Sequence, residues 1–262
     1  MPNWTARHVR QLLRVPTAAD DKYSRGVLGV LTGSPSYPGA AVLGVEAAAR
    51  TGIGMIRYRG AASAAVLARR PGVLVAPGRV HAWLIGSGLP ELSVTDPVLA
   101  EAAASATPLV LDAGALRRDI LTQLTAAGPR ILTPHAGEAA VLLERSRSEV
   151  ERDPALAAQE LAARWSAVVV LKGSVTRVAS PDAELIELGP ATPWLATAGT
   201  GDVLAGILGA VVAGNPSADL AALAASAVWI HSAAAELASA GAPIMALDIA
   251  RRLPELIRTI LS

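Results

Sequence analysis

The residues best placed to do chemistry lie in one short run, Ala198-Gly199-Thr200-Gly201-Asp202, which opens directly onto the apolar segment 203–213. Glycines at the mouth of a helix let backbone N–H groups approach an anion closely. The unsatisfied first-turn donors and the positive end of the dipole favour phosphate there. An acidic residue in that turn is conspicuous. Asp202 serves either as a helix-start carboxylate that complements the dipole or as a base held beside a phosphate that the glycines cradle. The short motif alone leaves both readings open. A second signal is Lys172, in Lys172-Gly173-Ser174. Among 23 basic residues only Lys22 and Lys172 are lysines, so a lysine beside a glycine at a strand end stands out in a chain that otherwise uses arginine.

The elements that must position these residues follow from hydrophobic periodicity. Short β-branched or Leu-rich runs alternate with longer Ala-rich helical patterns, the signature of βαβ units. Strands are expected near 26–31, 53–58, 82–85, 109–111, 130–133 and 168–171, with the clearest helices near 40–51, 116–126 and 155–165. Two alternating pieces, 176–179 and 184–188, predict an antiparallel hairpin. Three helices, 201–214, 219–240 and 246–261, complete the chain. The expected fold class is α/β, a three-layer α/β/α sandwich with a mostly parallel sheet and helices on both faces, in a single domain over 1–262.

In an open parallel sheet, ligands bind beyond the carboxyl ends of the strands. Five loops rich in glycine and small polar residues fall there: 32–41, 86–89, 112–115, 133–138 and 172–174. Together they predict a pocket on one rim.

Composition narrows the partners. The formal net charge is +1, from 23 basic and 22 acidic residues, so no excess field draws nucleic acid or an anionic membrane. Cysteine is absent, which removes disulfides, thiolate metal sites and a cysteine nucleophile. The first ten residues contain no apolar core of a secretory signal. The Ala-rich stretch 220–240 is interrupted by Ser226, His231 and Glu236, and no run approaches the roughly 20 apolar residues of a membrane span. A cytoplasmic protein acting on small molecules is expected, with no nucleic acid and no membrane as partner.

The order of the motifs resembles the ribokinase-like superfamily, and within it the ADP-dependent NAD(P)H-hydrate dehydratases. The matching segments are Pro38-Gly39-Ala40-Ala41, Gly86-Ser87-Gly88-Leu89, Leu111-Asp112-Ala113-Gly114-Ala115-Leu116, Thr133-Pro134-His135-Ala136-Gly137-Glu138, Leu171-Lys172-Gly173-Ser174-Val175-Thr176 and Gly199-Thr200-Gly201-Asp202. Two departures stand out. Many relatives carry an additional N-terminal epimerase domain for which 262 residues leave no room, and the family's Gly-Gly-Thr-Gly-Asp reads here with Ala198 in the first place.

The resemblance implies removal of water from the (S)-epimer of hydrated NADH or NADPH. The hydroxyl is phosphorylated by ADP, or by ATP in some relatives. Phosphate then departs, leaving NAD(P)H and AMP. On this reading the N–H groups of Gly199, Thr200 and Gly201 form the anion hole, and Asp202 takes the hydroxyl proton. Lys172, Gly173, Ser174, Val175 and Thr176, with Gly201, line the nucleotide side. Ala40, Ala41, Gly86, Gly88 and His135, with Asp202, meet the hydrated cofactor. Glu138 either supports Mg²⁺ through water or is a first-turn carboxylate. His8, His81 and His231 are expected to be structural. The family implies a homo-oligomer, a homotetramer. The alternative functions are an ATP-dependent kinase of a small vitamin-precursor alcohol, with the same anion hole and base, and a nucleotide-binding regulator without catalysis.

Overall fold

The computed structural model describes residues 4–262; residues 1–3, the start of the N-terminal segment considered above, lie outside it. Eight strands form one sheet in the order β2-β1-β3-β4-β5-β6-β7-β8. They are β1 (Val27–Leu31), β2 (Met55–Tyr58), β3 (Ala82–Ile85), β4 (Leu109–Leu111), β5 (Arg130–Leu132), β6 (Val168–Leu171), β7 (Thr176–Ser180) and β8 (Ala183–Leu188). The first six run parallel, and β7 and β8 form the predicted antiparallel hairpin at one edge.

The helices are α1 (Ala6–Leu12), α2 (Pro38–Thr51), α3 (Ser63–Arg69), α4 (Pro97–Ala104), α5 (Arg118–Gln123), α6 (Ala136–Leu143), α7 (Arg147–Arg152), α8 (Pro154–Trp165), α9 (Thr200–Gly214), α10 (Leu220–Ser239) and α11 (Ala246–Leu261). The helix expected over 116–126 is shorter: α5 begins at Arg118 and gives way to a 3₁₀ turn at Leu124–Ala126.

Strand residues alternate between two apolar layers, as a period of two requires in a sheet covered on both faces. Leu28, Val30, Leu84, Val110, Ile131, Val168 and Val170 enter the layer shared with α2, α9, α10 and α11. Leu31, Trp83, Ile85, Leu109, Leu111, Leu132, Val169 and Leu171 enter the layer under α4, α5, α6 and α8. The α/β sandwich read from the sequence is the fold observed.

Helix α10 corrects one expectation. Within its 20 residues an 18-residue window reaches a mean hydropathy of 1.4, enough by length and composition for a membrane span, yet 61% of that window is buried inside the protein. It packs on α9 and α11, so its apolarity is that of a core helix.

Helix α9 crosses α2 with almost no gap. A Cβ on Gly206 would lie 2.1 Å from the Gly44 carbonyl oxygen, so only glycine permits this approach. The crossing seats the amino end of α9 beside the carboxyl ends of the central strands.

Candidate active site

Helix α9 begins differently from its neighbours. The first turns of α4, α8 and α10 are capped by the side chains of Asp96, Asp153 and Asp219. Helix α9 begins at Gly199, in the left-handed region at φ 89°, and has no side-chain cap. Among the described residues, the N–H groups of Gly201 and Asp202 meet no protein acceptor, while the Thr200 N–H makes a long 3.4 Å contact with the Thr197 carbonyl. The Thr200 hydroxyl is engaged with the carbonyls of Leu195 and Thr197, both at 3.0 Å, and so ties the preceding loop to the helix. Free first-turn donors at an uncapped helix start suit an anion.

Opposite this turn stands a buried charge cluster. Asp112, at the end of β4, is only 3% exposed. Its Oδ1 accepts from the Lys172 Nζ at 2.9 Å and the Thr133 hydroxyl at 2.7 Å, and its Oδ2 accepts from the Ser87 hydroxyl at 2.8 Å. Burial alone would raise the Asp112 carboxyl, but the charge of the Lys172 ammonium and the hydrogen bonds from Lys172, Thr133 and Ser87 hold it below its ordinary value. The Lys172 ammonium is raised in turn: burial opposes its charge, and Asp112 and Glu138 overcome that. A Cβ built on Gly201 would stand 3.8 Å from the Lys172 Nζ, so the ammonium lies against the first turn of α9. The pairing of β5 with β6 fixes this position, since the Lys172 N–H donates to the Pro134 carbonyl at 2.8 Å and His135 bridges to Lys172.

Asp202 is set apart from the paired carboxylates. Burial pushes its carboxyl up to about 6, the negative charge of Asp112 adds to the rise, and Lys172 counters it. A carboxylate tuned towards neutrality at the mouth of an anion-binding turn has the properties of a general base.

The site residues expected from the sequence are distributed around this turn. Lys172, Gly173, Ser174, Thr176, Thr200, Gly201 and His135 line one cavity of about 700 Å³, closed on its apolar side by Pro190, Leu195, Leu204 and Val228. Val175 faces instead a neighbouring cavity of about 460 Å³, with Arg147 and Arg177. Ala40 and Gly88 lie outside both cavities and meet each other, a Cβ on Gly88 standing 2.6 Å from the Ala40 methyl. Ala41 is fully buried beside Gly33 and offers no surface, so its contribution is the space that its small size leaves. Gly86 packs against the Asp112 carbonyl, too close for any side chain.

His135 and Glu138 have local work. The His135 Nδ1 caps α6 by accepting from the N–H groups of Gly137 and Glu138, and the Glu138 Oε2 accepts from the His135 N–H at 2.8 Å. That reciprocal capping box places Glu138 as a first-turn carboxylate of α6. Among the described residues no group of three or more histidine or acidic side chains could hold a metal ion.

Sequence reasoning leaves Asp112 without a role; the signal that could find it is a carboxylate at the end of a strand buried on both faces, where only a partner makes a charge tolerable. For His231 the expectation is a structural role. His231 lines the larger cavity, and burial takes its imidazole down to about 4, so it is neutral there. Nothing in the sequence of α10 distinguishes that position from a core histidine.

The chain is 43% identical over 220 residues to the bifunctional NAD(P)H-hydrate repair enzyme Nnr of Mycobacterium tuberculosis, covering 79% of this chain and 45% of that protein. It thus spans about half the length of that relative. It is 35% identical over 260 residues to the ADP-dependent (S)-NAD(P)H-hydrate dehydratase of Neisseria meningitidis, covering 92% of this chain and 87% of that one. Its fold matches the ADP/ATP-dependent NAD(P)H-hydrate dehydratase of Bacillus subtilis, co-crystallised with ATP and Mg²⁺, with a TM-score of 0.86 at 28% identity over 99% and 98% of the two chains. A match to the NAD(P)H-hydrate dehydratase (Carb_kinase) family extends over residues 28–255, and the chain belongs to that family.

Proposed function

We propose that this chain is an ADP-dependent (S)-NAD(P)H-hydrate dehydratase, which removes water from the hydrated dihydronicotinamide ring of NADH or NADPH. The observation that carries the reading is Asp202, raised to about 6 in the first turn of an uncapped helix with Lys172 beside it. The relatives named for this reaction support the choice of substrate.

The nucleotide takes the 700 Å³ cavity, with its base among Pro190, Leu195, Leu204 and Val228 and its phosphates towards Lys172 and the α9 turn. The hydrated ring lies on the Ala40 and Gly88 side, with His135 reaching the remainder of the dinucleotide. Asp202 accepts the hydroxyl proton while the oxygen attacks the terminal phosphorus, and the bond from that phosphorus to AMP breaks. The N–H groups of Gly199, Gly201 and Thr200 and the Lys172 ammonium take up charge on the transferred group. For the Thr200 N–H this requires release of its long contact with Thr197. The phosphorylated carbon then loses phosphate as the ring nitrogen supplies its lone pair. Loss of a proton from the adjacent carbon restores the double bond.

Mg²⁺ would ride mainly on the nucleotide phosphates: Asp112 is already engaged by Lys172, Thr133 and Ser87, and among the described residues no group of three or more histidine or acidic side chains could hold the ion. When bound, the ion neutralises phosphate charge. We place the protein in the cytoplasm and assign it a homo-oligomeric state, a homotetramer, which sedimentation of the purified protein checks.

The decisive assay combines the purified protein, chemically hydrated NADH, Mg²⁺ and ADP or ATP, and follows the return of dihydronicotinamide absorbance. Nucleotide-dependent return is expected. Bound nucleotide without return overturns the dehydratase and favours the kinase of a small alcohol.

A further inference from the structure

The Asp112 carboxylate is the most heavily engaged polar group at the rim, and no role in the reaction has been given to it so far. It sits at the end of β4, between β3 and β5 in the sheet, and collects donors from three other loops: Ser87 after β3, Thr133 after β5 and Lys172 after β6. A buried carboxylate with only one cationic partner is costly unless further donors reach it, and the two hydroxyls supply one to each oxygen.

The consequence falls on Lys172. A lysine carries about 2 kcal/mol of rotamer entropy and at an open rim would extend into water. Here its ammonium is held at 2.9 Å by Asp112 Oδ1, and Glu138 Oε2 at 3.9 Å is beyond hydrogen-bonding distance. Among the described residues Asp112 is the one acceptor that the ammonium meets, so two of its three N–H donors are unspent. They lie beside Gly201, where the α9 turn also has free donors.

We propose that Asp112 is a positioning residue for phosphoryl transfer, pinning the Lys172 ammonium against the first turn of α9 with Ser87 and Thr133 as its struts. Ser87 lies between Gly86 and Gly88, so the same carboxylate joins the loop on the substrate side to the lysine on the nucleotide side. This inference rests on the reading of the site given under Proposed function.

The test is a double-mutant cycle of wild type, Asp112→Asn, Lys172→Met and the double variant, with kcat, KM for ADP and Tm measured for each. If Asp112 acts through Lys172, Asp112→Asn lowers kcat by about 10²-fold, the scale of a displacement of about 1 Å in a reacting array, with KM for ADP changed much less. The double variant is then no slower than Lys172→Met within about 3-fold. Losses that multiply, or a fall in Tm with kcat retained, overturn the proposal.

Should Asp112→Asn fail to fold, Ser87→Ala and Thr133→Val keep the carboxylate and each remove one donor. Each is expected to lower kcat about 5-fold beside Lys172 and to have no effect in the Lys172→Met background. Equal losses in both backgrounds overturn the proposal. A wild-type protein that binds ADP without dehydrating hydrated NADH overturns the dehydratase reading alone. The cycle is then read on the rate of ADP hydrolysis to AMP and phosphate, with water in place of the alcohol, where a non-additive pair upholds the role of Asp112 and an additive pair overturns it.

Discussion

Two buried carboxylate clusters, one between helices α2 and α3 and one at the rim of the sheet, solve the same electrostatic problem in opposite ways. Glu46 is fully buried and meets three arginines: Arg50 Nε at 2.7 Å, Arg69 Nη2 at 3.3 Å and Arg70 Nε at 2.5 Å. Burial would raise its carboxyl, but Arg70 and Arg50 hold it down to about 2. The rim reverses the count, with Asp112, Glu138 and Asp202 around the single cation of Lys172, and burial with Asp112 pushes Asp202 up to about 6. Surplus cations lock a carboxylate as a structural anion. Surplus carboxylates leave one of them a usable base, at a cost in stability that active sites commonly carry.

The sharpest test of this contrast is Asp202→Asn. Turnover is expected to fall by about 10²–10⁴-fold, the span of general-base catalysis, with calorimetric ADP affinity little changed. In the wild type, kcat/KM is expected to fall about tenfold per pH unit below about pH 6, because only the ionised carboxylate of the free enzyme accepts a proton. The stability effect has the opposite sign. A carboxyl raised from 3.8 to about 6 binds its proton more tightly in the folded state, so its ionisation costs stability as pH rises through that window, up to about 3 kcal/mol. Asp202→Asn is therefore expected to raise Tm at about pH 8 and leave it nearly unchanged at about pH 4. Equal shifts at both pH values would remove Asp202 from the rim cluster's side of the comparison.

Glu46→Gln is expected to do the reverse, lowering stability by about 2 kcal/mol while kcat stays within about 2-fold. The value sits at the low end for a buried pair because the arginines are partly exposed and rehydrate. The Glu46 pKa lies below its unfolded value of 4.5, so its contribution is complete above that pH and is lost as pH falls towards about 2. Denaturant unfolding at two pH values measures it, and a large loss of turnover would break the separation between the clusters.

The smallest effect separates the two tasks of His135. His135→Asn keeps a side-chain acceptor at the α6 cap, so stability is expected to change by less than about 1 kcal/mol. KM for hydrated NADH rises if the imidazole touches the dinucleotide, and an unchanged KM leaves His135 a cap alone.

Much of this was legible in the chain because it rests on local chemistry. Leu109, Val110 and Leu111 declare a strand buried on both faces, and the glycines before Asp202 declare a helix start without a side-chain cap. The role of Asp112 was not legible. Its partners Ser87, Thr133 and Lys172 lie 25, 21 and 60 positions away, and only the strand order brings their loops together. Helices α1, α3, α4, α6 and α7 are not singled out by the sequence, since segments of eight residues or fewer are too short for periodicity to separate them from loop.

The sequence by itself determined the alternation of strands and helices, the hairpin at the edge, the rim on which the loops gather and the residues in the first turn of α9. These depend on periods of two and 3.6 residues and on the special conformations of glycine, which a chain carries wherever it is placed. Tertiary structure alone decided the charges. The Asp202 carboxyl is raised and that of Glu46 lowered because burial and the number of cations within reach set a carboxyl's affinity for its proton, and those distances exist only once β3 to β6 are side by side and α2 packs on α3.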